Sequence, residues 1–143
     1  MSYQVKDYMT KSITTINYEA TVTQAAKAMA ADESLEGYMV VLKEGKPVGM
    51  VTERDLVNKV LANDRDPGQT TVSEIMASPL ITVDPEEDLL NASQVMRERH
   101  VRKLVVIRGE IIYGILTAKD VAQHCGDYVN QSIKDITRWT LLI

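Results

Sequence analysis

Two short stretches of the chain, "GMVTERD" from Gly49 to Asp55 and "GILTAKD" from Gly114 to Asp120, each set a threonine three residues ahead of an aspartate. The immediate chemistry of that spacing is a capping box, in which the two side chains satisfy the free amides at the start of a helix. A carboxylate has acceptor capacity beyond one such bond, because both its oxygens take hydrogen bonds. Gly49 and Gly114, inside the strands that lead into these motifs, mark either a bulge or a place where a flat ring approaches the backbone. His124 and Cys125 suggest a base beside a nucleophile, but neighbours on a helix point about a hundred degrees apart and do not face each other. The chain has no G-x-x-x-x-G-K-[ST], G-x-G-x-x-G, C-x-x-C or H-E-x-x-H, so phosphoryl transfer, hydride transfer and zinc chemistry lack a recognised anchor.

The elements that must position these motifs occur twice. "VKDYMTKSITTINYEATVTQAAKAM" (Val5 to Met29) lies over "VSEIMASPLITVDPEEDLLNASQVM" (Val72 to Met96), and, after a short deletion, "YMVVLKEGKPVGMVTERDLV" (Tyr38 to Val57) lies over "KLVVIRGEIIYGILTAKDVA" (Lys103 to Ala122). The deletion falls between a helix and a strand, where a loop shortens without disturbing register. Val22, Ala25, Ala26 and Met29 have helical spacing, reproduced by Leu89, Ala92, Ser93 and Met96. The runs "YMVVL" and "KLVVI" followed by "VGMVT" and "IIYGILT" predict hairpins, each leading into a second helix. The predicted fold is therefore α+β, with two β-α-β-β-α repeats packed about a pseudo-twofold axis. The first repeat spans 1–62, a polar linker "NDRDPGQTT" 63–71, the second repeat 72–126, and a tail 127–143.

With 45% apolar and 25% charged residues and no long apolar run, the 143-residue chain has the composition of a soluble globular protein. One cysteine and no signal-like N-terminus predict a reducing, cytoplasmic setting. A net charge of −4 disfavours unspecific attraction to nucleic acid or anionic lipid.

The ordered set V-x-x-x-M, "ITT" or "ITV", A-x-x-x-M, "VV" and G-h-h-T-x-x-D (h apolar), present twice between Val5 and about Gly126, resembles the CBS domain in tandem, the Bateman module. The resemblance implies two clefts that bind adenosine-containing ligands such as AMP, ADP, ATP or S-adenosylmethionine, and a module that senses and does not catalyse. It gives each T-x-x-D aspartate the two ribose hydroxyls. By the same resemblance a first cleft combines Met50, Thr52, Arg54 and Asp55 with Ile81, Arg102, Lys103 and Lys119, next to His100. A second combines Ile115, Thr117 and Asp120 with Thr14 and Tyr38, Arg54 being its nearest cation. Arg102 and Lys103 align with Gly37 and Tyr38, so phosphate is expected in the first cleft. Neither a cofactor nor a protein-held metal is required, although Mg could arrive on a nucleotide.

Tyr38 and Tyr113 read as core or rim aromatics that also have a ring to stack on adenine. In the tail, Ile133, Ile136, Trp139 and Leu142 form an apolar stripe at near-helical spacing. It packs back on the module or anchors a homodimer through Trp139, and the resemblance makes a homodimer the default. The leading expectation is a regulatory module acting on an unidentified partner protein. The alternatives are a ligand-free dimeric scaffold and, less favoured, nucleic-acid binding through Arg97, Arg99, Arg102 and Lys103.

Overall fold

The structure is a computed structural model that describes residues 3–33 and 36–124. Cys125 and the tail with Trp139 lie outside the described residues. Two compact units are present, one of Ser12–Ile81 and one of Met1–Lys11 with Thr82–Ile143. They are called here the Asp55 unit and the Asp120 unit.

In the Asp55 unit, β1 (Thr15–Asn17) is followed by α1 (Val22–Ala31), β2 (Tyr38–Lys43) and β3 (Lys46–Thr52). The short α2 (Glu53–Asp55) then runs directly into a π-helical stretch, Leu56–Leu61. The sheet order is β1-β2-β3, with β1 parallel to β2 and β2 antiparallel to β3. Thr21 starts α1 with a full capping box to Gln24. Val22, Ala25 and Met29 turn inward as the spacing predicts, whereas Ala26 is exposed. The three inward residues join Met39, Val41, Val51, Leu56, Val60, Val72 and Ile75 in one core, where each fully buried valine contributes roughly 1.5–3 kcal/mol. Glu44 and Gly45 both have positive φ, 52° and 79°, the two-residue turn that matches hairpin twist.

The Asp120 unit repeats this plan with β4 (Thr82–Val83), α3 (Leu89–Arg99), β5 (Lys103–Arg108) and β6 (Ile111–Thr117). Residues 118–124, here α4, are helical. The pairing is again parallel then antiparallel. Asp88 caps α3 by accepting from the Leu90 and Asn91 amides, and His100 ends it in the left-handed conformation, φ 56°. Leu89, Ala92 and Met96 are buried and Ser93 half-buried.

The V-x-x-x-M segments are single 3-10 turns, Val5–Asp7 and Val72–Glu74, and each turn joins the sheet of the other sequence repeat. The Thr10 and Ile115 backbones exchange two hydrogen bonds, 2.8 and 2.9 Å, inside the Asp120 unit. Met50 and Ala77 do the same at 3.0 and 2.8 Å inside the Asp55 unit. The linker is tied down as well: Thr70 is buried, its hydroxyl donates to the Asp66 carbonyl at 2.8 Å, and its carbonyl accepts from the Val22 amide.

Candidate functional site

Each unit places its T-x-x-D motif where a strand passes into a helix, and both motifs are capping boxes. In the Asp55 unit the Thr52 amide donates to Asp55 Oδ2 (2.9 Å) while Thr52 Oγ1 accepts from the Asp55 amide (3.2 Å). In the Asp120 unit the corresponding pair lies at 3.0 Å in both directions, between Thr117 and Asp120. Capping is therefore a fact of both motifs. It leaves acceptor capacity on each carboxylate, since an ionised aspartate offers about four lone-pair sites. The Asp55 side chain is 16% exposed and Asp120 is half-buried.

What else holds the two carboxylates differs. Asp55 Oδ1 is 3.2 Å from the ammonium of Lys59, which also donates to the Ile75 carbonyl at 2.9 Å. Asp120 receives the Thr10 hydroxyl instead, shared between Oδ1 at 3.4 Å and Oδ2 at 3.3 Å. The repeat aligns Lys59 with His124 and Thr10 with Ala77, so neither partner has a counterpart in the other unit. His124 lies edge-on to the Tyr8 ring, centroids 4.8 Å apart.

Gly49 and Gly114 owe their identity to the lead-in turns. A Cβ at Gly49 would lie 2.5 Å from Met76 Sδ and 2.9 Å from the Ala77 carbonyl, and one at Gly114 would lie 2.6 Å from the Thr10 carbonyl. Both also face a register shift in the partner strand, after Val41 and after Val106. A bulge and a close backbone approach thus occur together, and the approaching backbone is the protein's own.

Of the other residues singled out, Met50 and Ile115 give their amides to the Ala77 and Thr10 carbonyls, leaving only side chains to present. Met50 is half-buried and Ile115 fully buried. Thr14 is exposed and its carbonyl accepts from the Val40 amide at 2.9 Å. Tyr38 is 4% exposed, a core position, whereas Tyr113 is 40% exposed. Ile81 is half-buried, and Arg54 and Lys119 are exposed. Lys103 stands opposite Thr117 across β5 and β6, as Tyr38 stands opposite Thr52. The Arg102 carbonyl accepts the Ala118 amide at 2.7 Å, the task of the Gly37 carbonyl toward Glu53 in the other unit. Gly37 itself has φ 69°. Arg97 and Arg99 are exposed, and Arg97 lines a surface hollow with Gln94, Glu98 and His100.

Sequence reasoning missed Lys59 and Thr10. Lys59 had a signal, since aspartate four residues before lysine on a helix is a favourable pair. Thr10 had a fainter one, a hydroxyl where the aligned repeat has Ala77.

Among the described residues no helix is long and apolar enough to cross a membrane, and no cluster of three or more His, Cys, Asp or Glu could hold a metal ion. The family model for the CBS domain matches residues 5–62 and again 72–127. The CBS domain-containing protein YhcV of Bacillus subtilis is 35% identical over 118 residues, covering 82% of each chain. An uncharacterized protein of Methanocaldococcus jannaschii is 34% identical over 137 residues, and the match takes up 87% of this chain but only 32% of that longer one. The hexameric CBS-CP12 protein from bloom-forming cyanobacteria superposes with a TM-score of 0.80 at 34% identity, over 91% of this chain and 75% of its own. The duplicated strand-to-helix motif, the two like sheets and these matches agree: the chain belongs to the CBS-domain family and carries the domain twice.

Proposed function

We propose that this chain is a regulatory module that binds an adenosine-containing ligand through the Asp55 and Asp120 half-sites and signals to a partner protein, without catalysing a reaction itself. The observation that carries the reading is the spare acceptor capacity of two capping aspartates that remain partly accessible to solvent. A helix cap needs one oxygen and no access from outside, while a vicinal diol needs both oxygens and a way in. The mechanism is differential affinity: a ligand that favours one of two arrangements of the chain shifts their populations, and the partner reads the shift. Self-association fits the hexameric CBS-CP12 relative, and a homodimer is the simplest assembly consistent with the sequence. Val57 and Leu61, 53% and 62% exposed on the π-helical stretch, favour a second reading, a ligand-free scaffold whose surface is the function.

A thermal-shift panel of AMP, ADP, ATP, S-adenosylmethionine, NAD and a nucleic-acid oligomer separates these readings. A ligand bound only by the folded chain adds about 2.7 kcal/mol at a hundred times its Kd, so at least one adenosine compound should raise Tm. A flat response to every compound, with calorimetry in agreement, rejects the ligand reading in favour of the scaffold. A rise with the oligomer alone would move the function to nucleic acid.

A further inference from the structure

The contacts around Asp55 carry a specificity argument that Asp120 does not share. Every partner of the Asp120 carboxylate among the described residues is a neutral donor, the Thr117 amide and the Thr10 hydroxyl. Asp55 instead faces the full positive charge of Lys59, and the ammonium is fixed from a second side by the Ile75 carbonyl. A tethered ammonium loses less freedom on meeting a ligand than a free lysine does. It also cancels the charge with which Asp55 would repel an anion. The Asp120 carboxylate keeps that repulsion.

We propose that Lys59 sets the charge selectivity of the Asp55 half-site, admitting nucleoside phosphates there while the Asp120 half-site favours the uncharged nucleoside. The proposal rests on the adenosine-ligand reading above. With Oδ2 engaged by the Thr52 amide and Oδ1 by Lys59, one acceptor site remains on each oxygen, matching the two hydroxyls of a ribose. The diol can therefore bind without expelling the lysine. A 5′-phosphate on that ribose then lies within about one Debye length, roughly 8–10 Å, of a positive charge, near enough for an attraction that salt only partly screens. Adenosine has no group that gains from Lys59. The conformation of the helix matters too: the π-helical stretch Leu56–Leu61 contains Lys59, and such irregular turns often mark functional positions.

The test is calorimetric titration of the full chain with AMP and with adenosine, in an Asp120→Asn background that silences the other half-site but keeps an oxygen for its cap. Lys59→Met removes the charge and keeps the length; its half-exposed side chain predicts a folded variant, and Lys59→Gln serves if Met promotes association. The expected result is an AMP affinity lower by about tenfold with adenosine affinity unchanged, from Coulomb's law over that distance at a surface dielectric, reduced by salt screening. Lys59→Arg should restore AMP binding, and added salt should weaken AMP in the parent more than in Lys59→Met. A parallel loss of AMP and adenosine overturns the proposal, because Lys59 would then only hold Asp55 in place. An unchanged ratio of the two affinities overturns it equally. If the unmutated chain binds neither compound in the same calorimeter, this inference fails, and a flat response across the thermal-shift panel then rejects the adenosine-ligand reading as well.

Discussion

The Asp55 and Asp120 units share a motif, a sheet and a capping box, and differ in the third group that reaches each carboxylate. A lysine reaches Asp55 from four residues further along its own helix, and a threonine reaches Asp120 from the far end of the chain. Duplication has kept the backbone chemistry, which the fold needs at both places, and has let the side chains around it diverge. The comparison locates specialisation beside the motif and not within it.

The largest effect should come from the contact that both units depend on. At Gly114 an added Cβ meets the Thr10 carbonyl at 2.6 Å; at Gly49 the corresponding carbonyl, of Ala77, lies further off at 2.9 Å, and the nearest atom, Met76 Sδ at 2.5 Å, belongs to a flexible side chain. Gly114→Ala should therefore lose about 3 kcal/mol in urea unfolding and Gly49→Ala roughly half as much. Equal losses would show that the closer backbone approach at Gly114 is immaterial here. Next in size, Asp55→Ala should weaken AMP or ATP binding about ten- to a hundredfold by calorimetry, as expected when hydrogen bonds to a charged acceptor are lost. Asp120→Ala should cost such ligands much less. Each change also removes a cap worth about 1 kcal/mol, so folding must be measured beside binding, and the reverse ranking of the two mutants would invert the assignment of the half-sites.

Thr10→Val keeps shape and deletes the hydroxyl shared by the Asp120 oxygens, and should lower stability by about 1 kcal/mol. Ala77→Thr, the mirror change, should bring no gain if Asp55 is already satisfied by Lys59. A clear stabilisation by Ala77→Thr would show otherwise. The smallest effect concerns acid. Arg108 hydrogen-bonds Asp84 and holds its carboxyl below the usual range, and the Thr71 amide does the same for Glu74. A depressed folded-state value means that the stabilisation is complete above the ordinary carboxylate range and is lost as pH falls through the folded value. Arg108→Gln should thus flatten the decline of Tm below about pH 4, and because these groups are exposed the change should be slight. An unaltered acid limb would remove Asp84 from the account.

Much of this was legible in the sequence because periodicity and repetition reinforce each other. The helices of Val22 and Leu89, both hairpins and both caps follow from spacing alone. Ala26 and Ser93, assigned to the inward stripe, do not turn fully inward, since a stripe read on a helical wheel is wider than the face a three-stranded sheet can cover. The destination of the lead-in turns was not legible. Val5 and Val72 head nearly identical patterns, and nothing local distinguishes β3 from β6 as the strand that Thr10 or Ala77 will bridge. The identity of Gly49 and Gly114 was hidden for the same reason, their neighbours lying in the other repeat. Lys59 was visible as a helix pair, but its second bond, to the Ile75 carbonyl, is set by tertiary structure.

The exchange of lead-in turns has a consequence for how the chain is made. The Asp55 unit is one continuous stretch, Ser12–Ile81, and all its parts are available once that stretch has left the ribosome. The Asp120 unit is not: Thr10 emerges ahead of the whole Asp55 unit, yet its partner Asp120 lies 110 positions downstream. At about 5–20 residues per second, Thr10 waits roughly 5–20 s for the strand it will join. Nascent chains halted once Ile81 has cleared the ribosome, but before Ile115 has, should therefore already resist protease across 12–81 while residues 3–10 remain open to cleavage. Translation imposes an order on two units that the finished fold makes look alike.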